Sequence, residues 1–79
     1  METTDMSIEK KVILLGIYKK KDDESLNEVL RQLANNGVFS LKEGKKLLKE
    51  LKTEEFIINQ GLSLIGIEKA KMVEMEFKI

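Results

Sequence analysis

Ser25-Leu26-Asn27-Glu28-Val29-Leu30-Arg31-Gln32-Leu33-Ala34-Asn35-Asn36-Gly37-Val38-Phe39-Ser40-Leu41-Lys42-Glu43 holds two helix starts and one helix stop, and its reading decides the fold. Ser25 to Glu28 and Ser40 to Glu43 both match the capping box, in which the serine oxygen accepts the amide three residues on and the glutamate returns to the serine amide. After Ser25, the apolar residues Leu26, Val29, Leu30 and Leu33 fall at the spacing of one helical face. The pattern stops at Asn35-Asn36-Gly37, residues that tolerate a left-handed closing conformation. After Ser40, Leu41, Leu47, Leu48 and Leu51 share an arc with Gly44 at about 100° per residue. Two amphipathic helices are therefore predicted, joined by a tight turn in which Val38 and Phe39 fold inward. On these residues alone the pair is either a helix-turn-helix unit or a plain helical hairpin.

Working outward, Phe56-Ile57-Ile58 and Leu62-Ser63-Leu64-Ile65 are short β-prone runs around Asn59-Gln60-Gly61, which suits a tight reversal, so a hairpin is expected near residues 55–66. From Ile67 the apolar residues Ile67, Ala70, Val73 and Phe77 return to helical spacing, with Met72, Met75 and Ile79 widening the face. On the other side, Val12-Ile13-Leu14-Leu15-Gly16-Ile17-Tyr18 reads as a buried helix or a buried strand. Ser7 as a cap, followed by Ile8, Val12 and Leu15, favours the helix. The expected core is Val12, Leu15, Leu26, Leu30, Leu33, Leu47, Leu48, Leu51, Phe56, Leu64 and Val73.

The chain has 79 residues, too few for two hydrophobic cores, so one domain over residues 8–79 is expected after a flexible N-terminal segment, residues 1–7. Its hydrophobic fraction of 42% is enough for a folded core, and Lys+Arg and Asp+Glu balance at 14 each. Cysteine and histidine are absent. No disulfide, thiolate nucleophile or imidazole base is available, and the usual nitrogen and sulfur ligands for zinc or haem are missing. The adjacent carboxylates Asp22, Asp23, Glu24, Glu54 and Glu55 lack the spacing of a calcium loop. Neither enzyme activity nor a cofactor is expected. No apolar run approaches the roughly 20 residues of a membrane helix, and Met1 to Met6 lacks the order of a secretory signal, which points to the cytoplasm.

Charge is uneven along the chain. Residues 29–53 carry six basic groups and two acidic ones, whereas residues 1–28 carry five and seven and residues 54–79 three and five. On a helical wheel Lys42, Lys45, Lys46, Lys49 and Lys52 fall within an arc of about 120°, opposite the leucines. Such a stripe either solvates one face of a helix or contacts backbone phosphates, which it would do with little regard to base sequence. Arg31, the only arginine, is on the preceding helix, and the outward face of the lysine helix has no Arg, Asn or Gln to read base edges.

Leu41 to Ile57, a basic helix running through a charged turn into an aromatic-isoleucine strand, resembles the recognition helix and first wing strand of small microbial, plasmid or viral winged helix-turn-helix regulators. Gly61 to Ala70 is similar to the second wing strand followed by the last helix of that family. The resemblance implies a mainly α fold with a small β-hairpin, in the order helix, capped helix, basic recognition helix, hairpin wing and C-terminal helix. It further implies binding of double-stranded DNA, with Lys42, Lys45, Lys46 and Lys49 facing the groove; Lys52 of the same stripe and Arg31 are further candidate DNA contacts by their charge. It also implies a homodimer paired through the C-terminal helix. The chain departs from the family at the hairpin tip, which is short and holds no basic residue. Two functions stay open: a DNA-binding transcriptional regulator acting as a dimer, and a helical protein–protein interaction module in which the lysines only solvate.

Overall fold

A computed structural model describes residues 6–59 and 61–77. Its elements are α1 (Ile8–Lys19), α2 (Leu26–Asn35), α3 (Leu41–Thr53), β1 (Ile57–Ile58), β2 (Gly61–Leu62) and α4 (Leu64–Phe77). The protein is thus mainly helical, with four helices and one two-stranded antiparallel hairpin among the described residues.

Helix starts follow the serines. The Ser7 hydroxyl accepts the Lys10 amide at 3.3 Å, which resolves the Val12–Tyr18 segment as helix. Ser25 and Glu28 form the full reciprocal box, with bonds of 3.2 and 3.0 Å. At α3 only the serine half forms: Ser40 Oγ accepts the Glu43 amide at 3.1 Å, and no return bond from Glu43 is made among the described residues. α2 closes where expected. Gly37 takes a φ of 84°, the Val38 amide donates to Leu33 O and the Gly37 amide to Ala34 O, the paired bonds of a Schellman motif. α3 closes by the same pair of bonds, Phe56 N to Leu51 O and Glu55 N to Lys52 O, but with Glu55 in the left-handed position at a φ of 68°.

The hairpin is shorter than expected. Ile57 pairs with Leu62 and Ile58 with Gly61, and Asn59 turns the chain after β1; Gln60 lies outside the described residues. The run Leu62-Ser63-Leu64-Ile65 is not one strand. Ser63 ends it by accepting the Gly66 amide at 3.1 Å, so α4 begins at Leu64 and not at Ile67. Because Gly66 stands where a capping glutamate would, the start carries no capping-box signature. Gly66 is required there for another reason: a Cβ would overlap the Phe56 carbonyl oxygen, against which the first turn of α4 is pressed.

α1 is the central element, in contact with the other three helices and with β2. The core comprises Ile13, Leu14, Ile17, Leu26, Val29, Leu30, Phe39, Leu48, Leu51, Ile57, Ala70 and Val73. Of the expected core, Leu26, Leu30, Leu48, Leu51 and Val73 are buried, while Val12, Leu15, Leu33, Leu47 and Phe56 are half-buried. Two expectations are corrected. In α1 the buried residues are Ile13, Leu14 and Ile17, not Val12 and Leu15, and Ile8 is exposed. In α4 the buried side is Gly66, Ala70 and Val73, whereas Leu64 is 82% exposed and Phe77 is exposed too. In both helices the charged residues are scattered around the axis instead of gathered on one side, so no polar face marks which side turns inward. Met6 is half-buried against the core and Ser7 caps α1. Residues 1–5, Lys78 and Ile79 lie outside the described residues.

Candidate nucleic-acid interface

The register of α3 is pinned by Leu48, Leu51 and Gly44, all buried. Gly44 is small because the Phe39 ring, folded inward from the α2–α3 turn, occupies the space a side chain would need. With that side fixed, Lys42, Lys45, Lys46, Lys49 and Lys52 all point to solvent and all are exposed. From Lys42 to Lys52 the row runs about 15 Å along the helix, at about 1.5 Å per residue.

Two of the acids beside this row are paired with α1, whereas Glu43 stays exposed next to Lys42. Lys10, on α1, places its ammonium 3.0 Å from Glu50 Oε1 and 3.3 Å from both carboxylate oxygens of Glu54. Its side chain is only 14% exposed, so Glu50 and Glu54 are held against the α1 side of α3 by a mostly covered cation. Burial by itself pulls the Lys10 pKa down; the bonds to Glu50 and Glu54 outweigh it, and the net direction is up. A raised lysine pKa stabilises the fold at pH values below the unfolded-state pKa and loses that contribution as pH climbs through the folded-state value. None of the five α3 lysines makes an ion pair among the described residues.

The lysines border two adjoining shallow grooves. Lys42 and Lys46 line one with Ser40, Glu43, Leu47 and Glu50; Lys46 and Lys49 line the other with Glu50, Thr53 and Glu54. Arg31 is not part of either. It lies on α2 in a separate shallow groove with Asp23, Glu24, Glu28, Gln32 and Asn35, an acidic setting that suits it poorly to phosphate. There Glu24 accepts the Lys21 amide at 2.9 Å and the Gln32 side chain at 3.3 Å. The Lys21 amide bond, followed by that of Gln32, holds the Glu24 carboxyl below its usual range. At the hairpin, Ile58 and Asn59 are exposed and supply no cation.

Sequence reasoning placed the lysine row and missed Lys10. Lys10 is 44 residues from Glu54, and no local spacing signals their pairing. Two further ion pairs, Lys11 to Glu76 and Lys19 to Glu74, each 2.7 Å, tie α1 to α4. Among the described residues no group of three or more His, Cys, Asp or Glu is arranged to hold a metal, and no helix is long and apolar enough to cross a membrane. No family model, no curated protein and no solved structure matches this chain.

Proposed function

We propose that this chain is a small winged-helix DNA-binding protein of the regulator type, acting in the cytoplasm, with α3 as the helix laid against duplex DNA. One observation supports the proposal: the five exposed lysines in a row on α3 make no ion pair among the described residues, while Glu50 and Glu54 of that helix and its cap are paired with Lys10 of α1. Cations so placed neutralise phosphates and release counterions, which gives affinity before it gives specificity. Without Arg, Asn or Gln on the outward face, base readout is meagre and sequence preference modest. The formal net charge of zero makes binding by one copy weak, and the hairpin tip adds no phosphate contact.

The test is titration of the pure protein with mixed-sequence duplex DNA at two salt concentrations. About four phosphate contacts correspond to a loss of roughly 100-fold in affinity between 50 and 200 mM salt. An absence of binding at about 50 mM salt removes the proposal and leaves the second reading, a protein–protein interaction module. That second reading is favoured by a different observation, the exposed apolar side chains of α4.

A further inference from the structure

Four lysines are half-buried among the described residues: Lys10, Lys11, Lys20 and Lys69. Three of them have an acceptor. Lys10 pairs with Glu50 and Glu54, Lys11 pairs with Glu76, and the Lys20 ammonium donates to the Lys21 carbonyl oxygen at 3.4 Å. Lys69, on α4, makes neither an ion pair nor a hydrogen bond among the described residues. A cation that gives up part of its hydration without gaining an acceptor is destabilised, so such a group marks a place where an anion is favoured.

Lys69 lines a cavity of about 320 Å³ together with Met6, Lys10, Glu54 and Phe56. These residues come from the chain before α1, from α1, from the C-cap of α3, from the chain before β1 and from α4, so only the folded chain brings them together. Met6 and Phe56 are half-buried, pack against the core and supply apolar walls. Two cations, Lys10 and Lys69, and one anion, Glu54, give the lining a net charge of +1. Lys10 is already shared between Glu50 and Glu54, which leaves Lys69 to bind an incoming anion. A dianion would set its second charge against the Glu54 carboxylate, and a neutral molecule would leave Lys69 unpaired. At about 30 Å³ per water, the volume has room for on the order of ten non-hydrogen atoms. We propose that this cavity binds a small organic monocarboxylate, with its carboxylate on the Lys69 ammonium and its apolar body between Met6 and Phe56. Neither cation belongs to the α3 row, and the inference holds whether or not DNA is bound.

Benzoate is a probe of this size and charge. Titrated into the full chain without DNA and followed by amide NMR, it should shift the resonances of Met6, Lys10, Glu54, Phe56 and Lys69 together and to saturation. The Kd should fall between about 0.1 and about 5 mM, as befits a small ligand in a cavity open to solvent. Benzamide and benzylammonium, its neutral and cationic counterparts, should bind at least about tenfold more weakly, because neither offers Lys69 a charged acceptor. Lys69→Gln should weaken benzoate about tenfold and Lys69→Arg should keep it within about threefold of the parent. Lys71→Gln, which removes an exposed lysine of the same helix outside the cavity, should leave binding unchanged. The dispersion of the same spectra checks that each variant keeps its fold, and the comparison of the three probes needs the parent alone. No saturable shift at about 20 mM benzoate, equal affinity for benzoate and benzamide, or equal losses in Lys69→Gln and Lys71→Gln overturns the proposal.

Discussion

α3 and α4 have nearly the same length, 13 and 14 residues, and solve opposite problems. α3 has one apolar side and one lysine side: Leu48 and Leu51 face inward, and Lys42, Lys45, Lys46, Lys49 and Lys52 face outward. α4 has apolar residues on both sides, with its charges scattered between them. Its small residues Gly66, Ala70 and Val73 face the core because α1 and the Phe56 backbone come close, and its larger ones, Leu64, Met72 and Met75, are left in solvent. The contrast teaches that a helix surface is determined by polarity only when polarity is segregated. Otherwise the size of the side chain, set against the distance to its neighbours, decides.

The sharpest way to break this comparison is to truncate one leucine on each helix. Leu48→Ala in α3 should cost about 2–5 kcal/mol, through lost burial and the cavity left behind, a large share of the stability of so small a domain. Leu64→Ala in α4, at 82% exposure, should stay within about 0.5 kcal/mol at concentrations where the chain is monomeric. Chemical denaturation of both variants measures the difference, and equal losses would show that the α4 register is wrong.

A second contrast concerns charge. Lys45→Glu with Lys46→Glu should abolish duplex binding at about 50 mM salt while leaving the circular dichroism unchanged, because both side chains point away from the leucine side. If the doubly substituted protein binds as the parent does, the lysine row only solvates α3. Close packing at the start of α4 gives the next effect. Gly66→Ala puts a methyl group onto the Phe56 carbonyl oxygen, which belongs to the backbone and cannot rotate away, and should cost about 1–3 kcal/mol in thermal or denaturant unfolding.

Lys10→Gln should remove about 1 kcal/mol of stability at neutral pH, as expected for an ion pair whose carboxylates are partly exposed. In the parent that contribution fades as pH rises through the raised Lys10 pKa, so stability curves of parent and variant should converge at high pH. With Glu50 and Glu54 released beside Lys46 and Lys49, duplex binding should also weaken several-fold; unchanged binding would mean that Lys10 is only structural. The smallest effect is expected at the end of α3. Glu55 holds a positive φ that glycine adopts at no cost, so Glu55→Gly should raise stability by about 1 kcal/mol.

By itself the sequence determined the helix pair and its polarity. Ser25, Ser40 and Gly37 act through bonds to amides and carbonyls within a few residues, and the leucines and lysines of α3 are sorted by a period of 3.6, so both are readable locally. The hairpin turn at Asn59 was legible for the same reason, although its second strand was read too long because Ser63 caps α4 without a glutamate three residues on. Tertiary structure alone decided the rest: that Ile13, Leu14 and Ile17 are the buried side of α1, that Leu64 faces solvent, and that Lys10 pairs with Glu50 and Glu54 at the end of α3. These depend on which elements approach one another across tens of residues, and neither apolar helices without a polar face nor an ion pair spanning 44 residues leaves a periodic trace in the chain.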